Sequence, residues 1–156
     1  MPPIPNPGVR FPPPLVYAAG IAAGWLLDRR WPLPMTVAEP PVREILADLC
    51  FLLWLALMVW AFVTFRRART SVIPNQPASA IVTNGPYRFT RNPMYVSLVA
   101  LYLAVTLALD SWWPLLFLPL VVLVIQRAVI AREERYLASA FPADYEAYRR
   151  RVRRWL

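Results

Sequence analysis

Uncharged apolar blocks alternate along this chain with breaks rich in arginine or proline. Phe11 to Leu27, Leu49 to Phe65, Met94 to Leu109 and Ser111 to Ile125 each carry no charge. A helix that spans a bilayer needs about 20 mostly apolar residues, with about 17 as the lower edge. The first two blocks reach that length, and the last two approach it once their flanks are added. The pattern predicts an all-α integral membrane protein of about four transmembrane helices. Helix one is expected over about Pro13 to Leu27, and helix two from Pro41 to Arg43 down to the Arg66-Arg67-Ala68-Arg69 cluster. A helical hairpin follows, turning at Asp110-Ser111, bent in its second arm by Pro119 and continued through Ala131 to Leu137. Trp112 and Trp113 suit the far interface. Pro142 opens a last amphipathic helix, where Leu137, Phe141, Tyr145, Tyr148 and Val152 share one face. That face is expected to pack on the body or to lie among headgroups.

The chain divides into a proline-rich leader over 1–14 without stable structure of its own, two N-terminal helices over 13–65, and a core over 66–156. The core comprises a loop over 70–95, the hairpin over 94–131 and C-terminal helices over 132–156. Gly20 and Gly24 form a small-xxx-small pair suited to close helix packing. The loop from Asp28 to Glu44 balances its charges and holds nothing that resembles a site. A signal peptide is a poor reading of the first block, whose basic flank is Arg10 alone.

Charge changes the picture by adding direction. The net charge is +8, and all 17 basic residues are arginine. They cluster beside the apolar blocks, where anionic lipid is a nearer partner than nucleic acid, and the Arg149 to Arg154 run reads as a lipid-anchoring face. From Arg66 to Arg91 inclusive there are five arginines and no acid, so the positive-inside rule puts this segment and both termini in the cytoplasm, in a bacterial inner membrane. The sole cysteine, Cys50, sits in an apolar run and reads as a buried small hydrophobe. It has no partner for a disulfide or a paired-cysteine metal site, and with no histidine the Ser-His-Asp and Cys-His constellations and the usual zinc sites are excluded.

The most informative stretch is Ile81 to Tyr95, where Asn84-Gly85-Pro86 forces a turn and Asn92-Pro93 opens a helix. Arg91 and Asn92 stand at that helix mouth, with Tyr87 and Tyr95 on either side. Glu133 and Glu134 are the chain's only adjacent carboxylates, flanked by Arg132 and Arg135 just past a membrane exit. Spacing alone fits an exposed helix laced with ion pairs as well as it fits a site. An upright hairpin would bring Asn92–Tyr95 and Arg127–Glu134 together at one membrane surface, and ionisable groups at that depth point to function.

Gly85 to Tyr95, then a hairpin, then Glu133-Glu134 and Phe141 to Val152 resemble the isoprenylcysteine carboxyl methyltransferase family and its bacterial relatives, themselves similar to phospholipid N-methyltransferases. The resemblance covers about residues 70–156. It implies S-adenosylmethionine as cofactor, with S-adenosylhomocysteine as product, held by loop and hairpin rather than by a Rossmann sheet. Position by position, Ser79, Ala80, Ile81 and Val82 resemble the cofactor-contacting stretch, and Tyr87 the family tyrosine. Asn92, Pro93, Met94 and Tyr95 match the Arg-His-Pro-x-Tyr signature, with asparagine for histidine, and Glu133 the cofactor-binding glutamate. Ser97 stands where glycine is common. Val129 occupies the place of a substrate-binding arginine, leaving Arg127 and Arg132 as the candidates for gripping an acceptor.

The resemblance therefore implies methyl transfer to a carboxylate, isoprenylcysteine-like, or to another lipid-like acceptor drawn from the membrane, with no metal. An ionised carboxylate needs no base, whereas an amine acceptor, as in phospholipid N-methylation, must lose a proton, for which Glu134 is the candidate. Two other readings stay open: a sterol-reductase-like NADPH enzyme, and a non-catalytic membrane scaffold or lipid-binding protein.

Overall fold

A computed structural model describes residues 6–9, 11–36, 39–69 and 80–156, and those residues are helical with no strand among them. Helix α1 runs Pro13–Arg30, α2 Pro40–Arg67, α3 Pro93–Ala108 and α4 Trp112–Val124. A wide π-helical turn, Ile125–Ile130, joins α4 to α5, Ala131–Ala140, and α6 runs Pro142–Arg151. Proline occupies the first turn of α1, α2, α3 and α6, where its absent N–H breaks no hydrogen bond. Ser111 caps α4 by accepting from the Trp113 N–H, and the helix continues through Pro119, which faces outward.

Two of these helices are long and apolar enough to cross a bilayer: Pro40–Arg67 and the continuous helix from Trp112 to Ala140. Only 6% of the apolar stretch of α2 is buried within the protein. Leu49, Leu52, Leu53 and Leu55 therefore point outward, a surface that a water-soluble helix would not carry. Helix α3 is apolar but shorter.

Helices run up and down in turn, so two ends of the molecule can be told apart. Helix α2 packs along α3, and α1 packs along α4 and touches α3. Both glycines of α1 serve this packing. A Cβ on Gly20 would lie 2.4 Å from Val121, and one on Gly24 would lie 2.5 Å from the backbone nitrogen of Pro114. Tyr102, fully buried at the centre, donates to the Pro114 carbonyl at 2.6 Å. Tyr17, Tyr95, Leu98, Val121 and Ile125 complete the main core, and Val129 is buried in it.

At one end the loop before α2 clamps the hairpin turn. Asp28 accepts from Ser111 at 2.7 Å, Trp113 Nε1 donates to the Trp31 carbonyl at 2.7 Å, and Arg43 pairs with Asp110 at 2.8 Å. Asp110 also accepts from the Met35 N–H and holds a positive φ of 53°, which a short acidic residue tolerates better than most. This segment, which holds nothing that resembles a site, is with the adjoining ends of α1 and α2 the fastening of the fold.

At the other end the last turns fold back over the loop before α3. The shared face of α6 packs on the body, not into a headgroup layer: Tyr145 and Tyr148 are buried with Ala61, Val82 and Tyr87. The leader also has a place. Val9 is buried in the main core, and the Gly8 carbonyl accepts from Arg132 at 2.9 Å.

Candidate functional site

Gly85 makes the turn that the sequence demands. Its φ is +60°, and a Cβ there would lie 2.5 Å from Thr64 Oγ1, so the loop rests on the end of α2 at a position only glycine can fill. The single turn of 3₁₀ helix over Gly85–Arg88 then carries Tyr87 inward, and Tyr148 donates to the Tyr87 carbonyl at 2.7 Å. Burial pushes both phenols above their ordinary pKa, so they face the interior as neutral donors.

These elements enclose a cavity of about 310 Å³. Its size lies within the range of small-molecule sites. Its lining combines an apolar set, Pro13, Pro14, Met58, Met94 and Leu98, with a polar one, Arg91, Asn92, Glu133, Glu134, Tyr145 and Tyr148. Glu133 accepts from the Tyr95 hydroxyl at 2.7 Å. This contact joins the start of α3 to α5 across the hairpin. Glu133 lies beyond Arg127, outside the apolar span, and is half-buried. Burial pushes its carboxyl up to about 7; the Tyr95 hydrogen bond opposes that rise and the neighbouring Glu134 charge adds to it.

Arg91 is the second polar group of the cavity. Its side chain is only 10% exposed, and its Nη1 reaches Tyr145 Oη at 3.0 Å and Glu134 Oε1 at 3.2 Å. Its Nε is buried and has no hydrogen-bond partner among the described residues. A guanidinium N–H that is buried without a partner is costly unless something completes it.

Of the residues picked out by sequence, Ala80, Ile81, Val82, Tyr87, Asn92, Met94, Tyr95, Glu133 and Glu134 all line this cavity. Ser79 lies outside the described residues. Pro93 is buried behind the wall rather than on it. Arg127 is exposed and Arg132 is turned to the Gly8 carbonyl, so neither faces the cavity. Glu134 does face it, but both its oxygens are engaged by Arg154, at 3.0 and 2.5 Å.

The cavity also takes residues that the pattern did not single out. Periodicity assigns Tyr145, Tyr148 and Leu137 only to an amphipathic face, yet all three line the cavity; the arginine run reads as a lipid anchor, but Arg154 is turned to Glu134. The chain after α6 instead crosses the loop: Arg91 N–H donates to the Arg153 carbonyl at 2.9 Å, and Thr90 Oγ1 and Asn92 Nδ2 donate to the Arg154 carbonyl at 3.1 and 2.8 Å. Asn92, where the resembled signature has histidine, uses its amide on the tail. Backbone acceptors carry no residue signature, so no spacing pattern could have found this crossing. Arg91 had a signal, since it stands beside Asn92-Pro93 at the helix mouth.

Comparison with known proteins bears on what such a site serves. An uncharacterised protein of Haemophilus influenzae is 46% identical over 63 residues, which are 40% of this chain and all of that protein. The cobalt-zinc-cadmium resistance protein CzcN of Cupriavidus metallidurans is 35% identical over 80 residues, 51% of this chain. That match spans little more than a third, 37%, of the CzcN chain. No solved structure matches significantly. The model of the phospholipid methyltransferase family matches residues 42–144, most of α2 through the first turn of α6, and so takes in the loop, Arg91, Tyr95, Glu133 and Glu134; the chain belongs to that family.

Proposed function

We propose that the protein is an integral membrane methyltransferase that uses S-adenosylmethionine and methylates a lipid-like acceptor. The observation that carries the reading is the Tyr95–Glu133 hydrogen bond at 2.7 Å inside a cavity of about 310 Å³, in a chain of the phospholipid methyltransferase family.

The residues present fit the donor. Glu133 suits hydroxyl or ammonium groups, and the unpartnered Arg91 Nε suits a carboxylate, which together match the polar groups of an adenosyl amino acid. Ile81, Val82 and Leu137 offer apolar surface to a flat ring. When bound, S-adenosylmethionine supplies an electrophilic methyl group on a sulfonium. The chain contributes alignment and exclusion of water: the loop over 80–92 closes one side, the tyrosines another, and the apolar lining admits the acceptor. A carboxylate acceptor is already ionised and asks for no base.

An amine acceptor has one specific observation in its favour. Glu133, with its carboxyl pushed up to about 7, is able to take a proton near neutrality, a role Glu134 cannot fill while two guanidiniums hold it. In both readings the helices α1 to α4 cross the membrane. The cavity end, with Arg66, Arg67, Arg88 and the α6 arginines, then faces the cytoplasm.

The test is a melting curve of the detergent-solubilised protein with S-adenosylhomocysteine and, separately, NADPH. A rise in Tm with S-adenosylhomocysteine alone, abolished in Glu133→Ala, is the expected outcome. A rise with NADPH alone would turn the reading to a reductase, and no rise with either to a scaffold.

A further inference from the structure

Three charges meet where the tail crosses the loop, and they are shared unequally. Glu134 takes a side-on pair from Arg154, Nε to Oε1 at 3.0 Å and Nη2 to Oε2 at 2.5 Å. Arg91 receives only one contact from the same carboxylate, Nη1 to Oε1 at 3.2 Å. Two guanidiniums against one carboxylate leave a net positive charge, and Arg91, which lines the cavity, is the one whose Nε has no partner among the described residues.

Arg154 is itself held in register. Its carbonyl accepts from Thr90 and Asn92, the preceding carbonyl accepts from the Arg91 N–H, and Trp155 Nε1 donates to Gln126 at 3.0 Å. The tail that positions the guanidinium therefore also fixes the backbone of Arg91. Without Arg154, the carboxylate of Glu134 would be free to close side-on over Arg91, the geometry guanidinium and carboxylate prefer. Arg91 would then be neutralised and its open N–H filled from within the protein.

We propose that Arg154 is a positioning residue: it draws Glu134 away from Arg91 and so keeps the Arg91 guanidinium available to a carboxylate in the cavity. This rests on the methyltransferase reading for its preferred source of that carboxylate, the amino-acid end of the donor; a lipophilic acceptor acid is the other source.

Calorimetric titration of the full-length protein in detergent tests it with three probes. S-adenosylhomocysteine carries the carboxylate, 5′-methylthioadenosine lacks it, and palmitate, added with saturating 5′-methylthioadenosine, stands for an acceptor acid. In Arg154→Ala the affinity for one carboxylate probe should fall about tenfold to a hundredfold, the range of one charge-assisted hydrogen bond, while 5′-methylthioadenosine is unchanged within about twofold. Which carboxylate probe responds identifies the source. Arg154→Lys, with charge but no side-on fork, should lie between. In a Glu134→Gln background the Arg154→Ala loss should vanish, because the competing carboxylate is gone. Should Arg154→Ala alone fail to fold, Arg154→Lys decides the matter: its selective loss for the carboxylate probe supports the proposal, and its equality with wild type overturns it. Equal weakening of all probes, or of none, overturns the proposal. If wild type binds neither nucleoside, the donor reading fails by itself, and the palmitate arm alone decides the role of Arg154.

Discussion

Glu133 binds its proton more tightly in the folded protein than in the unfolded chain, because covering a carboxylate removes water from its charge and Tyr95 returns only part of that solvation. Raised from 4.5 to about 7, the carboxyl contributes fully below its unfolded value. Its contribution is lost as pH rises through that interval, and the penalty above it is on the order of 3 kcal/mol. Glu133→Gln should therefore melt higher than wild type at pH 8 and nearly with it at pH 4.5, the difference opening between those values. Ligand binding should run the other way: a partner that donates to the ionised carboxylate binds more tightly as pH approaches 7 and levels off above. Since the Tyr95 hydroxyl lowers the carboxyl's pKa, Tyr95→Phe should move the midpoint of that affinity profile to higher pH. An affinity profile flat from pH 5.5 to 8.5 would remove Glu133 from the site. At this scale the sequence was a partial guide. The pairing of Tyr95 with Glu133 follows what the resemblance implies, and Arg91 has its place at the helix mouth, whereas its buried Nε without a partner among the described residues is a detail that spacing cannot express.

Helix boundaries were the legible part of the elements, since a proline in the first turn states where a helix starts, and α1, α2, α3 and α6 all start there. The small-residue pair in α1 was legible too, and the structure ranks its members. A methyl group on Gly24 meets the Pro114 backbone at 2.5 and 2.6 Å, which cannot swing aside; on Gly20 it meets the side chains of Val121 and Tyr102. Gly24→Ala should thus lower the melting temperature more than Gly20→Ala, with a cost of about 1 to 3 kcal/mol typical of overpacking. The reverse ranking would mean that α1 and α4 slide easily. The π-helical turn over Ile125–Ile130 had no sign in the sequence, because wide and ordinary helical turns take the same apolar residues. It matters nonetheless, for it sets the rotational phase at which Glu133 leaves the hairpin. The tail after α6 is not legible for a related reason: a run of arginines looks alike whether it faces headgroups or spends one guanidinium on Glu134.

Taken whole, the molecule has one end crowded with arginine and one where acids and arginines are balanced. If the cavity end faces the cytoplasm, cysteines placed singly in a Cys50→Ala background at Arg67 and Pro34 should react from opposite sides. An impermeant maleimide should label position 67 in inverted membrane vesicles and position 34 in right-side-out ones. Labelling of both from one side would refute the four-span arrangement. The asymmetry of fastening has a mechanical side as well. The knot of Asp28, Ser111, Arg43 and Asp110 ties the ends of α1 and α2 to the turn between α3 and α4, far from the cavity, so loosening it reaches the cavity only through the helices themselves. Cutting the Arg43–Asp110 tie with Asp110→Asn should let a bound nucleoside escape faster in stopped-flow release, although no atom that could touch the nucleoside has been altered.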